Sequence, residues 1–134
     1  MPELLIFMAT HFAYLFKPPG YRIVASEVSE SFGNALLVLE SDQLRLRFTR
    51  DKSQLLLEFQ TLRGSQNEWF SQGLLKGLLT GDRGGSEVLS PEWATFLEGG
   101  LPALEQRLAD PESHDATVDG LRQQARLRAK ELFG

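Results

Sequence analysis

Between residues 44 and 48 the chain reads Leu44-Arg45-Leu46-Arg47-Phe48, apolar and basic side chains in strict alternation. A period of two sends successive side chains to opposite faces of a β-strand, so one face of this segment is apolar and the other charged. On either side, Leu36 to Glu40 and Gln54 to Leu62 read as further strands, and Tyr21 to Val28 as a fourth. Gly33-Asn34 is the tightest point of the turn between the first two. Two-residue turns at Ser41-Asp42 and Asp51-Lys52 set Leu39 opposite Leu44, Leu37 opposite Leu46, Phe48 opposite Leu55, Leu46 opposite Leu57 and Leu44 opposite Phe59. Both hairpins then gather one apolar set on a single face. That agreement constrains the fold, because a slip by one residue sends every side chain to the wrong side. The other face carries Leu36, Val38, Arg45, Arg47, Leu56 and Glu58, the mixture expected of a sheet solvated on one side. In this register Glu58 opposes Arg45, and Arg47 faces Leu56.

Helices surround this sheet in the sequence. Residues 3–17 suit one, with Leu4, Leu5, Met8, Phe12, Leu15 and Phe16 on a broad face and Phe7, His11 and Tyr14 on another. Pro18-Pro19-Gly20 ends it. After a polar loop at 63–67, residues 68–80 suit a short helix, and GDRGGSE at 81–87 is the most flexible stretch by composition. Ser90-Pro91-Glu92 is a helix start, with an N-cap serine, a first-turn proline and an acid near the positive end. Trp93, Leu97, Leu101, Leu104 and Leu108 then share a stripe, which Gly99-Gly100 and Pro102 are expected to kink or split, and Asp110-Pro111 ends it. A last helix over 116–133 turns Val118, Leu121, Ala125, Ala129 and Leu132 inward, leaving His114 in the preceding loop. These elements predict a single α+β domain over 1–134, an antiparallel β-meander of about four strands packed on one face by an N-terminal helix and C-terminal helices.

The 134 residues suffice for a core without staples. There is no cysteine, which removes disulfides, thiolate metal sites and a thiol nucleophile and fits a reducing, cytoplasmic setting. The apolar start lacks a basic leader and a small-residue cleavage site and is too short to span a bilayer, so it reads as a core helix and no membrane is implied. A net charge of −4 argues against a general nucleic-acid binder. Arginine outnumbers lysine, a bias of GC-rich bacterial genomes that speaks to origin rather than activity.

No catalytic residues emerge. His11 and His114 stand in no metal-ligand spacing, and no metal or cofactor is implied. The turn aspartates Asp42 and Asp51 have backbone reasons to be where they are. The glycine-rich segment lacks the phosphate-loop pattern, and there is no GxSxG elbow. What remains is a surface for a partner: Arg45, Arg47, Leu56 and Glu58 on the sheet, with Phe7 and Tyr14 lying off the main face of the first helix as aromatic anchors.

The run Ser31-Phe32-Gly33-Asn34-Ala35-Leu36, then Leu39-Glu40-Ser41, Leu44 to Phe48 and Arg50-Asp51-Lys52-Ser53-Gln54 resembles a pattern in small uncharacterised bacterial proteins. Those in turn loosely resemble the immunity proteins encoded beside polymorphic toxins. The likeness covers about residues 20–80, and its distinctive part is FGN…RD…Q. Where such proteins often have glycine after Arg-Asp, this chain has Lys52-Ser53. The resemblance carries over no catalytic residue. It implies a cytoplasmic, non-enzymatic protein that occludes a partner, and an acidic chain suits a basic one. Two other readings stand beside it. One is a small-ligand or enzymatic domain with a site between sheet and helices near His11, Tyr14 and Trp69. The other is a homodimer joined through the sheet face.

Overall fold

The computed structural model describes residues 2–18, 20–29, 34–52, 54–63 and 68–133. Helix α1 (Pro2–His11) and a 3₁₀ turn (Ala13–Phe16) precede four antiparallel strands, β1 (Arg22–Ser29), β2 (Asn34–Glu40), β3 (Leu44–Asp51) and β4 (Gln54–Thr61). A two-residue strand β5 (Phe70–Ser71) leads into α2 (Gln72–Thr80), α3 (Pro91–Ala109) and α4 (Pro111–Phe133). The sheet order is β1-β2-β3-β4-β5, the expected meander with one short strand more. The Gly33 side of the first turn lies outside the described residues.

The apolar face is the one the alternation assigns. Leu37, Leu39, Leu44, Leu46, Phe48, Leu57 and Phe59 are buried beneath the helices, while Arg47 points to the other side. The partners differ from the expected ones. Leu39 pairs with Leu46, Leu37 with Phe48, Phe48 with Leu57 and Leu46 with Phe59, so both hairpins are displaced by two residues. The cause is strand length. β3 runs on to Asp51, which pairs with Gln54, and the Ser41 amide bonds the Leu44 carbonyl across Asp42-Gln43, so each turn begins one residue later than expected. Lys52 accordingly adopts φ 49°, the left-handed conformation that tight hairpin turns demand. An even displacement keeps every side chain on its face.

The helical layer closes this face. Leu4 and Met8 of α1, Leu15 of the 3₁₀ turn, Leu75 of α2, Leu97, Leu101, Leu104 and Leu108 of α3, and Val118 and Leu121 of α4 are all buried. The helix expected over 3–17 breaks at Phe12, which drops into the core and meets Phe48 edge-to-face at 5.2 Å. Ser90 caps α3 through the Trp93 amide as expected, but Gly99-Gly100 and Pro102 do not split it; the helix runs unbroken for 19 residues because its leucine stripe is buried along its length. Asp110 accepts the Glu112 amide at 3.0 Å and Pro111 opens α4 five residues earlier than expected. That places His114 in a helix, buried, with Nε2 2.9 Å from the Thr61 hydroxyl, rather than in a solvated loop.

Segment 81–87, glycine-rich in sequence, is anchored at both ends. Arg83 pairs with Glu131 of α4 and Arg128 with Glu87. The Glu87 carboxylate also accepts the Gly73 amide at 3.0 Å and the Ser71 hydroxyl at 2.7 Å, and so caps α2 from a distant part of the chain.

Candidate functional site

Each expected partner-binding residue on the sheet already has a neighbour within the chain. Arg47 is bonded through Nε at 3.2 Å and Nη2 at 2.5 Å to Glu58, its cross-strand partner, and its guanidinium lies 4.1 Å over the Trp69 ring. Arg45 bonds Glu40 at 3.0 Å and Gln60 at 3.0 Å. Glu58 therefore opposes Arg47 and not Arg45, as the two-residue displacement requires. Leu56 is half-buried in the row Leu36, Thr49, Leu56, and Val38 is buried beside Arg47. This face is a set of satisfied cross-strand rows. Reversing one charge breaks a row: Arg47→Glu sets two carboxylates opposite each other and removes the cation from Trp69. We expect it to cost about 1–2 kcal/mol, read as a lower urea midpoint.

The two aromatics sit inward. Phe7 is half-buried, 4.7 Å from the His11 ring and 6.0 Å from Phe12. Tyr14 belongs to the 3₁₀ turn and donates its hydroxyl to the Ala94 carbonyl at 2.9 Å. Burial, and secondarily Glu98, push its phenol well above the ordinary tyrosine value. His11, Tyr14 and Trp69 do not share a pocket, since Trp69 lies on the open sheet face against Arg47 and Tyr14 lies among the helices. Among the described residues no group of three or more His, Asp or Glu side chains is placed to hold a metal, and no helix is long and apolar enough to cross a membrane.

Of the residues that carry the resemblance, Asn34, Ala35, Arg50, Asp51 and Gln54 lie at one end of the sheet. The Asn34 side-chain oxygen accepts the Lys52 amide at 3.3 Å, and Ala35 pairs with Arg50. Their role visible here is structural: they hold the β3–β4 turn against the start of β2.

The two sheet edges differ sharply. Beyond β4, Gln72 Oε1 accepts the Leu57 amide at 3.0 Å, the Leu89 amide donates to Leu55 at 2.7 Å, and β5 pairs with Glu58 and Phe59. On the opposite side β1 has β2 as its one neighbour and presents an outer edge that no other described strand meets. The helical layer stops short of it. Along the core-side row Ile23, Leu39, Leu46, Phe59, Phe70, exposure jumps from 0% at Leu39 to 53% at Ile23. In the row that ends at Val28 it climbs from 4% at Ala35 to 51%. Val24, at the irregularity between Ile23 and Ala25, is exposed as well. At the near end of β1 the Tyr21 amide bonds the Leu15 carbonyl, next to exposed Phe16. Leu5 and Ile6 of α1 are exposed too, in a helix apolar nearly all round, the pattern of a helix covered on more than one side. Sequence reasoning missed this surface because exposure of β1 depends on where the helices end, which no local pattern records.

Comparison with protein-family models, with curated proteins and with solved structures finds no match to this chain.

Proposed function

We propose that this chain is a cytoplasmic bacterial protein-binding domain with no catalysis of its own, which occludes a partner in the manner of an immunity factor. The partner adds to the outer edge of β1 and covers Ile23, Val24 and Val28. The observation that carries this reading is the uncovered end of the core-side rows: apolar side chains and strand backbone are presented together at one edge, while the other edge is sealed. Edge strands of this kind are usually blunted, and an exposed one is the template on which an extended segment of another protein docks. The chain's net charge of −4 favours a basic partner and speeds its approach. The Arg45 and Arg47 rows lie on the neighbouring open face, as a polar border to the docked segment.

The test is affinity capture from the native host, followed by titration of the purified partner. Ile23→Lys with Val28→Lys is expected to weaken the complex by about tenfold or more, since two apolar contacts are replaced by charge at the edge. Both positions are exposed, so the thermal midpoint should hardly move. Undiminished binding by the double variant would remove β1 as the docking edge. A sedimentation mass of two chains for the protein alone, lost in the same variant, would assign the edge to self-association instead.

A further inference from the structure

The β1 edge has a further property on its core side. Helix α2 lies against β4 and β5, α3 lies beside α2, and α1 lies beside α3. The Phe12 ring, just past the end of α1, rests on Phe48 of β3, and Leu37 and Leu39 of β2 are covered as well. Their cross-strand partners on β1, Ser26 and Ile23, are exposed. The helical layer thus reaches β2 and stops, with α1 its outermost described helix. Packed helices keep their axes about 8–10 Å apart, and two strand spacings come to about 9.5 Å. One more helix beside α1 would therefore run along β1. No described element occupies that lane.

The lane has an apolar floor and an apolar wall. Ile23 and Val28 lie on the floor. On α1, Phe7 turns toward Phe12 and through it toward Tyr14, which is bonded to α3. Leu5 lies about 200° round the helix from Phe7, so it faces the lane, with Ala9 one turn on. Leu5 and Ala9 are exposed, and exposed Phe16 stands where the chain turns back to β1. Six of the eight large apolar side chains exposed among the described residues belong to α1, the 3₁₀ turn and β1. Scattered exposed apolar groups need no explanation, but their concentration on the borders of one lane does. Ala9 and Ser26 are small, so wall and floor both admit a close neighbour.

We infer that the partner of β1 also supplies an amphipathic helix, which lies in this lane beside α1 with its apolar stripe on Leu5, Ile23 and Val28. The inference rests on the reading of β1 as the docking edge and adds what covers it. An extended segment pairs with the strand, and a helix of the same protein completes the layer above. The outward face of that helix is basic, in keeping with the net charge of −4. A second copy of this chain fits poorly, because Leu4 and Met8 of α1, Leu75 of α2 and the leucines of α3 are already committed to its own core. A lipid surface fits poorly too. Anionic bilayers are held by clusters of cations, whereas residues 2–18 and 20–29 hold Lys17 and Arg22 against Glu3 and Glu27.

Strand β1 spans eight residues, about 26 Å, which a helix of about 18 residues matches. The probe is a leucine–lysine peptide of that length with leucines at helical spacing, titrated into the isotope-labelled full chain. The control has the same composition in an order that forms no apolar stripe. The helical peptide is expected to shift the amides of Leu5, Ala9 and Ser26 saturably, and the control is not. Ala9→Lys with Ser26→Lys sets charge in the lane and should weaken binding about tenfold or more. Both positions are exposed, so the thermal midpoint should hold. The same two charges on exposed positions of α4, Gln123→Lys with Ala125→Lys, should leave binding unchanged. Equal binding of the control peptide, equal loss in both double variants, or no shift at about 1 mM peptide would each overturn the inference. So would a two-chain mass for the protein alone that Ala9→Lys abolishes, which gives the lane to a second copy. An extended peptide of alternating isoleucine and lysine separates the two claims. If it shifts the β1 amides while the helical peptide leaves Leu5 and Ala9 unmoved, the edge stands and the helix falls. If the native complex ignores Ile23→Lys with Val28→Lys, the edge itself falls and the inference with it.

Discussion

Phe48→Ala is expected to lower the free energy of unfolding by about 3–5 kcal/mol, the largest loss from any single truncation in the sheet. Phe48 is fully buried, flanked by Leu37 and Leu57 on the adjacent strands, with the Phe12 ring packed edge-to-face upon it. Phe12 is the residue at which the N-terminal helix gives way to the 3₁₀ turn, so the ring pair pins the helical layer to the middle strand. Removing the ring leaves a cavity bounded by a sheet, which cannot collapse as a loop would, and forfeits the aromatic contact as well. A domain of this size is stable by roughly 5–15 kcal/mol, so the variant loses about a fifth or more of its margin. Urea unfolding should show a lower midpoint with an unchanged slope. A loss under about 1 kcal/mol would mean that the site is not sealed, and that the helices do not close on β3.

The contrast between Phe48 and Arg47 was legible in the sequence, and the reason is parity. Alternation tells which side chains share a face, and a displacement of both hairpins by two residues leaves that assignment intact. It does not tell which residue lies opposite which, because a strand that runs one residue further shifts every partner. Arg47 thus gained Glu58 where Leu56 was expected, and Arg45 gained Gln60 in place of Glu58. The short strand β5 has two residues, too few for any period to show. Asp110-Pro111 reads in the sequence as the end of one helix, yet the same pair is also the cap and first residue of the next, and that second meaning carries His114 inward against Thr61. Pro102 and Gly99-Gly100 disfavour a helix locally, but burial of the α3 leucines outweighs local preference over so long an element. The docking edge was the least legible part: the exposed rim of β1 exists because the helical layer ends at β2, a consequence of tertiary placement.

Gly20→Ala is expected to destabilise the chain by about 2–4 kcal/mol, an unusual cost for one methyl group. Pro18-Pro19-Gly20 reads in the sequence as a simple helix stop, and the structure adds a steric demand at its last residue. A Cβ at Gly20 would lie 2.3 Å from the Leu15 carbonyl oxygen and 2.5 Å from that of Lys17, both backbone atoms that cannot swing aside. The close approach is forced by the 2.7 Å bond from the Tyr21 amide to Leu15, which folds the chain back from the 3₁₀ turn toward β1. Replacing glycine normally stabilises a chain by about 0.4–1 kcal/mol through the unfolded state, but that gain applies where the native geometry admits the new atom. Gly99 supplies the control: it lies exposed inside α3 with nothing within 4 Å of its Cβ direction, so Gly99→Ala should stabilise by about 0.5–1 kcal/mol. Two identical changes therefore carry opposite signs. The Gly20 variant should also move Tyr21 and Leu15 together, and with Tyr21 beside Ser41 the amides of 41–44 should shift. A neutral Gly20→Ala, with those amides in place, would show that the chain does not turn back on Leu15 as tightly as this geometry requires.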